Sequence, residues 1–458
     1  LIVGLARSGQ AAALALRARG EQVIGLDCGH PPGVDSLADA GVELHLGDGD
    51  GVPLLSRVAT VVKSPGVSAR VPVIEQAQIR AVSVVGELEL AWRMLPNEFV
   101  AVTGTNGKTT TVELIGHIHR VAGLPVAVAG NVGAALSGFV GGLDPKARII
   151  CEVSSFQLED TVDFAPEVGV LLNLAPDHLD RHGTLAAYTE AKLRIFAHQG
   201  VSDIAVLPVG LDPGPIPGAA RRMSFGERLD VDLSLIDGTL RWREEVLLQA
   251  GEVRIPGRHN LENAMAAAAA CLARGLDPRA VSEGLRTFAG VAHRLEPVAE
   301  VAGVKYVNDS KATNVASTLV ALRACTDRIL AEVDRDAAGA GYGDGESDVA
   351  NVHLILGGQG KGQDFSALRG AVQKSCRGVY LIGEDAPLIA AALAAVEISV
   401  ESCERLDRAV ELARKRARAG ETVLLSPACA SFDQFTDFQA RGERFRELVG
   451  GIGGSTSK

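Results

Sequence analysis

The run Thr103-Gly104-Thr105-Asn106-Gly107-Lys108-Thr109-Thr110 has the residue types of a phosphate cradle. Gly104 and Gly107 let backbone N–H groups turn toward phosphate oxygens, and a helix N-terminus adds partial positive charge there. Lys108 is placed to reach β- and γ-phosphates, and the Thr109 hydroxyl to hold Mg²⁺. Val102 stands where the full phosphate-loop pattern has its first glycine. The weight therefore falls on the setting: an apolar strand, Phe99–Thr103, feeds the run, and a helix leaves it to about Ala122, closed by Gly123.

A magnesium shell at such a loop needs an acid at a strand end, and Glu152 supplies one as the apolar stretch Arg148–Val153 closes. On its own it would read as a solvated carboxylate. Further on, Asn173-Leu174-Ala175-Pro176-Asp177-His178-Leu179-Asp180-Arg181-His182-Gly183 crowds polar groups at the end of another strand, where parallel sheets bind ligands. His178 is a candidate second metal or water ligand, set against the commoner structural histidine. Lys192 lies on the following amphipathic helix, Leu185–Ala197, where the bland reading is a solvated lysine. Near the N-terminus, Gly4-Leu5-Ala6-Arg7-Ser8-Gly9 follows a strand, and Asp27 ends the next one, in position for a ribose hydroxyl. Ala6 replaces the glycine that lets a backbone approach a pyrophosphate, which speaks for a nucleotide fold rather than for NAD. Ser64-Pro65-Gly66 ends a further strand and could line the same crevice.

Positioning these groups requires alternating strands and helices. Short β-branched runs alternate with Ala/Leu-rich helical patterns almost throughout, which predicts an α/β chain with largely parallel sheets. Pro96-Asn97 marks a first boundary, giving a domain over 1–96. A second block, 97–292, carries the phosphate loop, a β-rich stretch after the loop Pro208–Gly218, and a helix within Gly257–Gly275. A third, 293–458, has strands at Lys305–Val307, Val352–Leu356, Val379–Ile382 and Thr422–Leu425. Residues 331–350 are acidic, Gly/Ala-rich and aperiodic, and read as a disordered surface insertion. The tail from Gly450 reads as disordered too.

Composition narrows the function classes. The 458 residues are 47% hydrophobic and 22% charged, with a net charge of −11. That excludes wholesale disorder and argues against a general nucleic-acid or anionic-membrane surface, which needs a basic face. No apolar run of about 18 residues is present, so no transmembrane helix is expected. Seven dispersed cysteines without a C-x-x-C pair predict reduced, buried thiols in a cytoplasmic protein.

In order along the chain stand GTNGKTT, EVSSFQLE (Glu152–Glu159), NLAPDHLDRHG, YTEAKLRIF (Tyr188–Phe196), GRHNLENA (Gly257–Ala264) and HRLE (His293–Glu296). NDSKATN (Asn308–Asn314), GGQGKGQDF (Gly357–Phe365) and SPACASFDQF (Ser426–Phe435) complete the set. Together they resemble the Mur ligases, ATP-dependent amide-bond ligases of peptidoglycan precursor synthesis. The combination SSFQLE, NDSKATN and SPACASFDQF is most similar to the D-glutamate-adding branch; the DNPR motif of the diamino-acid-adding branch is absent. The resemblance spans essentially all of the chain except the acidic stretch and the tail.

That resemblance implies three domains: a Rossmann-like UDP-binding domain, a central phosphate-loop ATPase domain, and a C-terminal Rossmann-like domain that takes the amino acid. It implies ATP and Mg²⁺, two ions in all, and the small-molecule substrates UDP-N-acetylmuramoyl-L-alanine and D-glutamate, acted on by a monomer. By position, Arg7, Ser8, Asp27, Ser64 and Gly66 would lie at the UDP moiety, although Arg7 and Cys28 depart from residues associated with the family there. Gly104, Asn106, Gly107, Lys108, Thr109 and Thr110 match triphosphate contacts; Thr109, Glu152 and His178 match metal contacts. Asn131 matches a substrate-side contact, and Lys192 the lysine that the family carbamylates. Asn260 and Asn263 match the adenine region, Arg294 and Asp309 phosphate and ribose contacts. Lys311, Thr313, Lys361, Ser431 and Phe438 match the D-glutamate pocket. Three other readings stand at this point, one of them an NAD dehydrogenase that rests on the Gly4–Gly9 run alone. Folylpolyglutamate synthase shares the last two domains but usually lacks a separate first one. A non-catalytic phosphate-loop sensor would not need the whole polar set.

Overall fold

In a computed structural model, the described residues are 1–453 without Asp48, Val132, Pro256, 337–349 and Lys361. They form three sheets in two compact units.

The first unit runs from Leu1 to Arg254 and adds His259–Phe288. Its first sheet has five parallel strands in the order Glu43–Leu46, Ile24–Asp27, Ile2–Val3, Thr60–Lys63, Ser83–Gly86. The order reverses between Ile2–Val3 and Thr60–Lys63. Loops leaving those two strands diverge to opposite faces and open a crevice at the carboxyl edge. The Gly4–Gly9 loop and the Ser64–Gly66 turn are those two loops. Apolar residues on each strand point to both faces, as in Ile2 and Leu26, because helices cover the sheet on either side.

The second sheet of this unit has nine strands. In order they are Glu245–Gln249, Thr239–Trp242, Leu233–Ile236, Arg221–Gly226, Ile204–Pro208, Val168–Leu171, Phe99–Thr103, Arg148–Glu152 and Val126–Gly130. Phe99–Thr103 lies inside the parallel part, flanked by Arg148–Glu152 and Val168–Leu171. Its unbroken apolar sequence follows from burial on both faces. The stretch after Pro208–Gly218 is indeed strand-rich and ends in antiparallel hairpins. The helix Arg258–Ala273 buries the alanine run Ala266–Ala270.

The second unit comprises Ile255–Arg258 and the chain from Ala289 onward. Its six strands run Glu296–Val301, Val304–Asn308, Thr422–Leu425, Val352–Gly357, Cys376–Ile382, Ser399–Glu404. The first pair is an antiparallel hairpin and the rest are parallel. Glu296–Val301 and Ser399–Glu404 were not expected from sequence. Both are edge strands, and edges carry the charged residues that hide a strand from pattern reading. The helix Val315–Asp336 continues through the start of the expected 331–350 insertion, so residues 331–336 are helical rather than aperiodic. The remainder, 337–349, lies outside the described residues. The last helix, Phe438–Gly453, likewise overruns the start of the expected disordered tail. Five cysteines are buried, as expected, but Cys28 is exposed and Cys325 half-buried. Among the described residues no helix is long and apolar enough to cross a membrane.

Candidate active site

The phosphate loop is shaped by its glycines. Gly104 and Gly107 have φ of +150° and +84°, which L side chains rarely adopt. At Gly107 a Cβ would lie 2.1 Å from the Asn263 side-chain oxygen, so the loop and the helix Arg258–Ala273 approach as closely as they do only because no side chain intervenes. Asn263 Nδ2 in turn donates to Asn260 Oδ1 at 3.3 Å, and both asparagines are buried. Asn173 latches the loop from the other side. Its Oδ1 accepts from Asn106 N at 2.9 Å, its Nδ2 donates to Asn106 O at 3.1 Å, and its carbonyl accepts from Thr105 N.

Lys108 folds back onto its own loop, donating to the carbonyls of Gly104 and Thr105 at 2.8 and 2.9 Å. Thr109 Oγ1 donates to Glu152 Oε2 at 2.6 Å, and Asn131 Nδ2 to Oε1 at 3.1 Å. Thr110 is buried in the first turn of the helix. The sequence-predicted oxygen donors Thr109 and Glu152 thus meet at the loop, joined by Asn131. Strand register brings them together, because Phe99–Thr103 pairs with Arg148–Glu152, which pairs with Val126–Gly130. Hydroxyl, carboxylate and amide oxygens are the hard donors that suit Mg²⁺.

Lys192 is buried, and its Nζ donates to Gly104 O at 2.9 Å while lying 4.5 Å from the Tyr188 ring centroid. Burial first, and the neighbouring Lys108 charge second, push its ammonium down to about 7; Asp177 and Glu152 oppose the shift. Tyr188 OH lies 3.2 Å from Thr105 Oγ1, which ties the same helix to the loop.

His178, the candidate second-metal ligand, lies in the loop that follows the strand Val168–Leu171. It has a left-handed φ of +51° and caps the turn Leu179–His182. Its ring packs 4.9 Å from Phe156 and pairs with Asp177 at 3.6 Å. Among the described residues, no group of three or more His, Cys, Asp or Glu side chains is arranged to hold a metal. Sequence reading missed the neighbouring His182. It is buried between Glu159 Oε1 (3.0 Å) and Ser155 Oγ (3.0 Å) and stacks on Phe156. Glu159 and His182 lie in separate motifs, and only the fold makes them partners.

In the first sheet's crevice, Asp27 accepts from the backbone: Leu5 N donates to Oδ2 at 2.7 Å and Gly29 N to Oδ1 at 2.8 Å. It thereby organises the glycine loop, and each oxygen keeps a second lone pair that can accept a further donor. Ser64 Oγ donates to Gly4 O at 2.6 Å, joining the two loops. Arg7 and Ser8 open the helix Arg7–Ala18, and Arg7 donates to Gly133 O at 3.2 Å. Gly66 is exposed, with open space where a Cβ would be.

In the second unit, the loops after three parallel strands carry the remaining candidates at the carboxyl edge. Lys311 and Thr313 follow Val304–Asn308, Ser431 follows Thr422–Leu425, and Lys361 follows Val352–Gly357 but lies outside the described residues. Lys311 Nζ stands 5.8 Å from the Phe438 ring centroid, and Ser431 is buried. Asp309 is buried too: its Oδ2 accepts from Ser426 Oγ at 2.8 Å and its Oδ1 from Leu295 N at 3.1 Å. Burial pushes its carboxyl up to about 7. Arg294 contributes an attractive charge to it, while its buried Nε has no hydrogen-bond partner among the described residues. Arg441, unnoticed in the sequence, clamps two of these loops. Its buried guanidinium donates to the carbonyls of Ser310, Cys429 and Ala430 and to Ser310 Oγ, at 2.9–3.2 Å.

Comparison with known proteins adds the following. Residues 1–86 match the Mur ligase MurD-like N-terminal domain, 102–214 the Mur ligase middle domain, and 293–429 the glutamate ligase domain of Mur ligases. The UDP-N-acetylmuramoylalanine–D-glutamate ligase of Pelotomaculum thermopropionicum is 42% identical over 98% of this chain and 96% of its own. That of Solibacter usitatus is 39% identical over 99% and 97%. Among solved structures, UDP-N-acetylmuramate–alanine ligase from Thermotoga maritima has a TM-score of 0.60 at 20% identity, covering 98% of both chains. A MurF ligase from the same organism, in complex with ADP, has a TM-score of 0.59 at 16% identity, covering 97% of this chain and 99% of that one.

Proposed function

The chain belongs to the Mur ligase family, and on that premise we propose that it joins D-glutamate to UDP-N-acetylmuramoyl-L-alanine with cleavage of ATP. The observation that carries the reading is the meeting of Thr109, Glu152 and Asn131 beside the Gly104–Thr110 loop. The muramoyl-alanine carboxylate attacks the γ-phosphorus and ADP leaves, forming an acyl phosphate. The D-glutamate amine then attacks the acyl carbon, loses a proton, and phosphate departs with the new amide bond in place.

The first step brings two anions together. Lys108, which swings from the Gly104 and Thr105 carbonyls to the phosphates, offsets that repulsion. Thr109 and Glu152 would hold Mg²⁺, which supplies charge stabilisation on the transferring phosphoryl group. Lys192 suits a further adjustment. Its lowered pKa leaves a substantial neutral fraction near pH 7. A neutral amine can take up CO₂ and release a proton, which replaces a cation with carboxylate oxygens beside the metal ligands. Lys311, Thr313, Lys361, Ser431 and Phe438 are assigned to the D-glutamate, whose two carboxylates call for cations and hydroxyls. Asn260 and Asn263 are assigned to adenine. Substrates of this kind, ATP and a nucleotide sugar, fit the cytoplasm. A folate-type ligase is disfavoured by the complete five-stranded first sheet and the match of residues 1–86.

The test is phosphate release from ATP and Mg²⁺ in the presence of UDP-N-acetylmuramoyl-L-alanine, with D- or L-glutamate supplied separately. Release requiring the nucleotide sugar and D-glutamate together is expected. Release with L-glutamate alone, or with neither, would overturn the assignment.

A further inference from the structure

Lys63 is the last residue of its strand and is almost wholly buried at 1% exposure. Its Nζ pairs with Asp160 Oδ2 at 2.7 Å and donates to Val67 O at 3.0 Å. One cation therefore ties the ends of the Ser64–Gly66 turn together and anchors them to another sheet's layer. Asp160 answers with its backbone as well: its carbonyl accepts from Gly86 N at 2.9 Å. At Gly86 a Cβ would lie 2.9 Å from Asp160 Cβ, so the contact is tight. Asp160 thus grips the carboxyl ends of two neighbouring strands of the first sheet. A second strut is parallel to it, Arg181 Nη1 donating to Pro65 O at 3.2 Å.

The other end of the linkage is equally rigid. Asp160 closes the helix Ser155–Glu159, which a capping box opens: Ser154 Oγ accepts from Gln157 N, and Gln157 Oε1 accepts from Ser154 N. Ser154 lies two residues beyond Glu152. On the crevice side, the turn held by Lys63 packs on the glycine loop. A Cβ at Gly4 would stand 2.7 Å from Val67 Cγ2, and Ser64 Oγ holds Gly4 O. The Lys63–Asp160 pair therefore links both crevice loops to the segment that carries Glu152, with Arg181 bracing the same turn through Pro65 O.

We propose that Lys63 and Asp160 are positioning residues for the ligase reaction, setting the crevice that anchors the nucleotide end of the sugar substrate at a fixed reach from Glu152 and the phosphate loop. Neither is assigned a contact with substrate or ATP. The inference rests on the proposed ligase reading. Its chemical consequence is geometric: the nucleotide end is bound far from the carboxylate that reacts, so a small displacement of one relative to the other costs much of the rate.

The variants are Lys63→Met, Asp160→Asn and the double Lys63→Met/Asp160→Leu, each in the full chain. Removing one partner strands a buried charge, whereas an apolar pair of similar volume is tolerated. Thermal unfolding should thus fall in the single variants and recover in the double. Turnover should not recover: about a tenfold or greater rise in KM for the nucleotide sugar, with KM for ATP within about twofold, is expected in all three. A double variant regaining both stability and wild-type KM, or an equal rise in KM for ATP, would overturn the proposal. Hydrogen exchange gives a readout that needs no turnover. Peptides containing Val67 and Gly86 should exchange faster in Lys63→Met than in wild type, and those of the Gly104–Thr110 loop should not. Wild-type protein inactive with the nucleotide sugar would sink the ligase reading; unchanged exchange at Val67 and Gly86 would sink the positioning proposal by itself.

Discussion

Lys108 and Lys192 converge on one acceptor, the Gly104 carbonyl, at 2.8 and 2.9 Å. Two ammonium groups at a single oxygen repel, and that repulsion is one of the causes lowering the Lys192 pKa. The arrangement stores positive charge where a triphosphate would bind. Lys108→Ala should abolish phosphate release while lowering stability by only about 2 kcal/mol, the scale of a charged hydrogen bond lost. Steady-state turnover and thermal unfolding measured side by side check both halves.

The protonation of Lys192 should leave its mark on pH dependence. Its pKa falls from 10.5 to about 7 on folding. Between those values the unfolded chain binds the extra proton, so stability should rise with pH across that window. Lys192→Met should flatten the rise, as followed by denaturant unfolding from pH 7 to 10. In the same variant, mass spectrometry of the native protein under CO₂ should no longer detect the adduct expected on Lys192.

Asp309 works in the opposite sense. Its carboxyl is raised from 3.8 to about 7 by burial, so the folded chain holds a proton that the unfolded chain releases in between. The stabilisation is complete below about pH 4 and is lost as pH rises through 7. Asp309→Asn should remove that slope while keeping an acceptor for Leu295 N. Unfolding free energies that retain the wild-type slope between pH 4 and 7 would contradict this account.

Gly107→Ala tests the close approach of the phosphate loop to Asn263. Both the positive φ and the 2.1 Å Cβ separation oppose the methyl group. A loss of about 2–3 kcal/mol is expected, together with weaker ATP binding. Calorimetric titration with ATP, alongside unfolding, decides whether loop geometry and nucleotide affinity fall together.

Glu152→Gln keeps an acceptor for Thr109 and removes the charge. The expected outcome is a shift of the Mg²⁺ requirement to at least about tenfold higher concentration, since a hard dication loses its anionic ligand. Phosphate release titrated with Mg²⁺ reads this directly. An unchanged titration would remove Glu152 from the metal shell.

What the sequence made legible was local. The phosphate loop is a strand, a glycine turn and a helix start in one continuous run, so Gly104 to Thr110 could be read without knowing the fold. Glu152 was legible because an acid closing an apolar strand stands out. Asn173, Glu159–His182, Arg441 and Lys63–Asp160 were not, since each acts on a partner that strand order alone brings near. Asp27 was legible as an acid at a strand end, but its hydrogen bonds from the amides of Leu5 and Gly29 were not. A carboxylate beside a tight glycine turn is drawn first to the unpaired N–H groups of that turn. The edge strands escaped for a similar reason, because exposure on one side replaces the apolar alternation with charge.

The strand Thr422–Leu425 is the latest of its sheet in the chain, yet it lies between Val304–Asn308 and Val352–Gly357. On a ribosome, which makes a chain from its N-terminus, those two earlier strands have no shared neighbour until residue 425 has emerged, and Arg441 must follow before the loops at Ser310 and at Cys429–Ala430 are clamped. The unit built around the phosphate loop is by then complete in sequence, since its last segment ends at Phe288. Vectorial synthesis would thus allow the nucleotide-handling part to mature first, and the part assigned to the amino acid to assemble in a single late step.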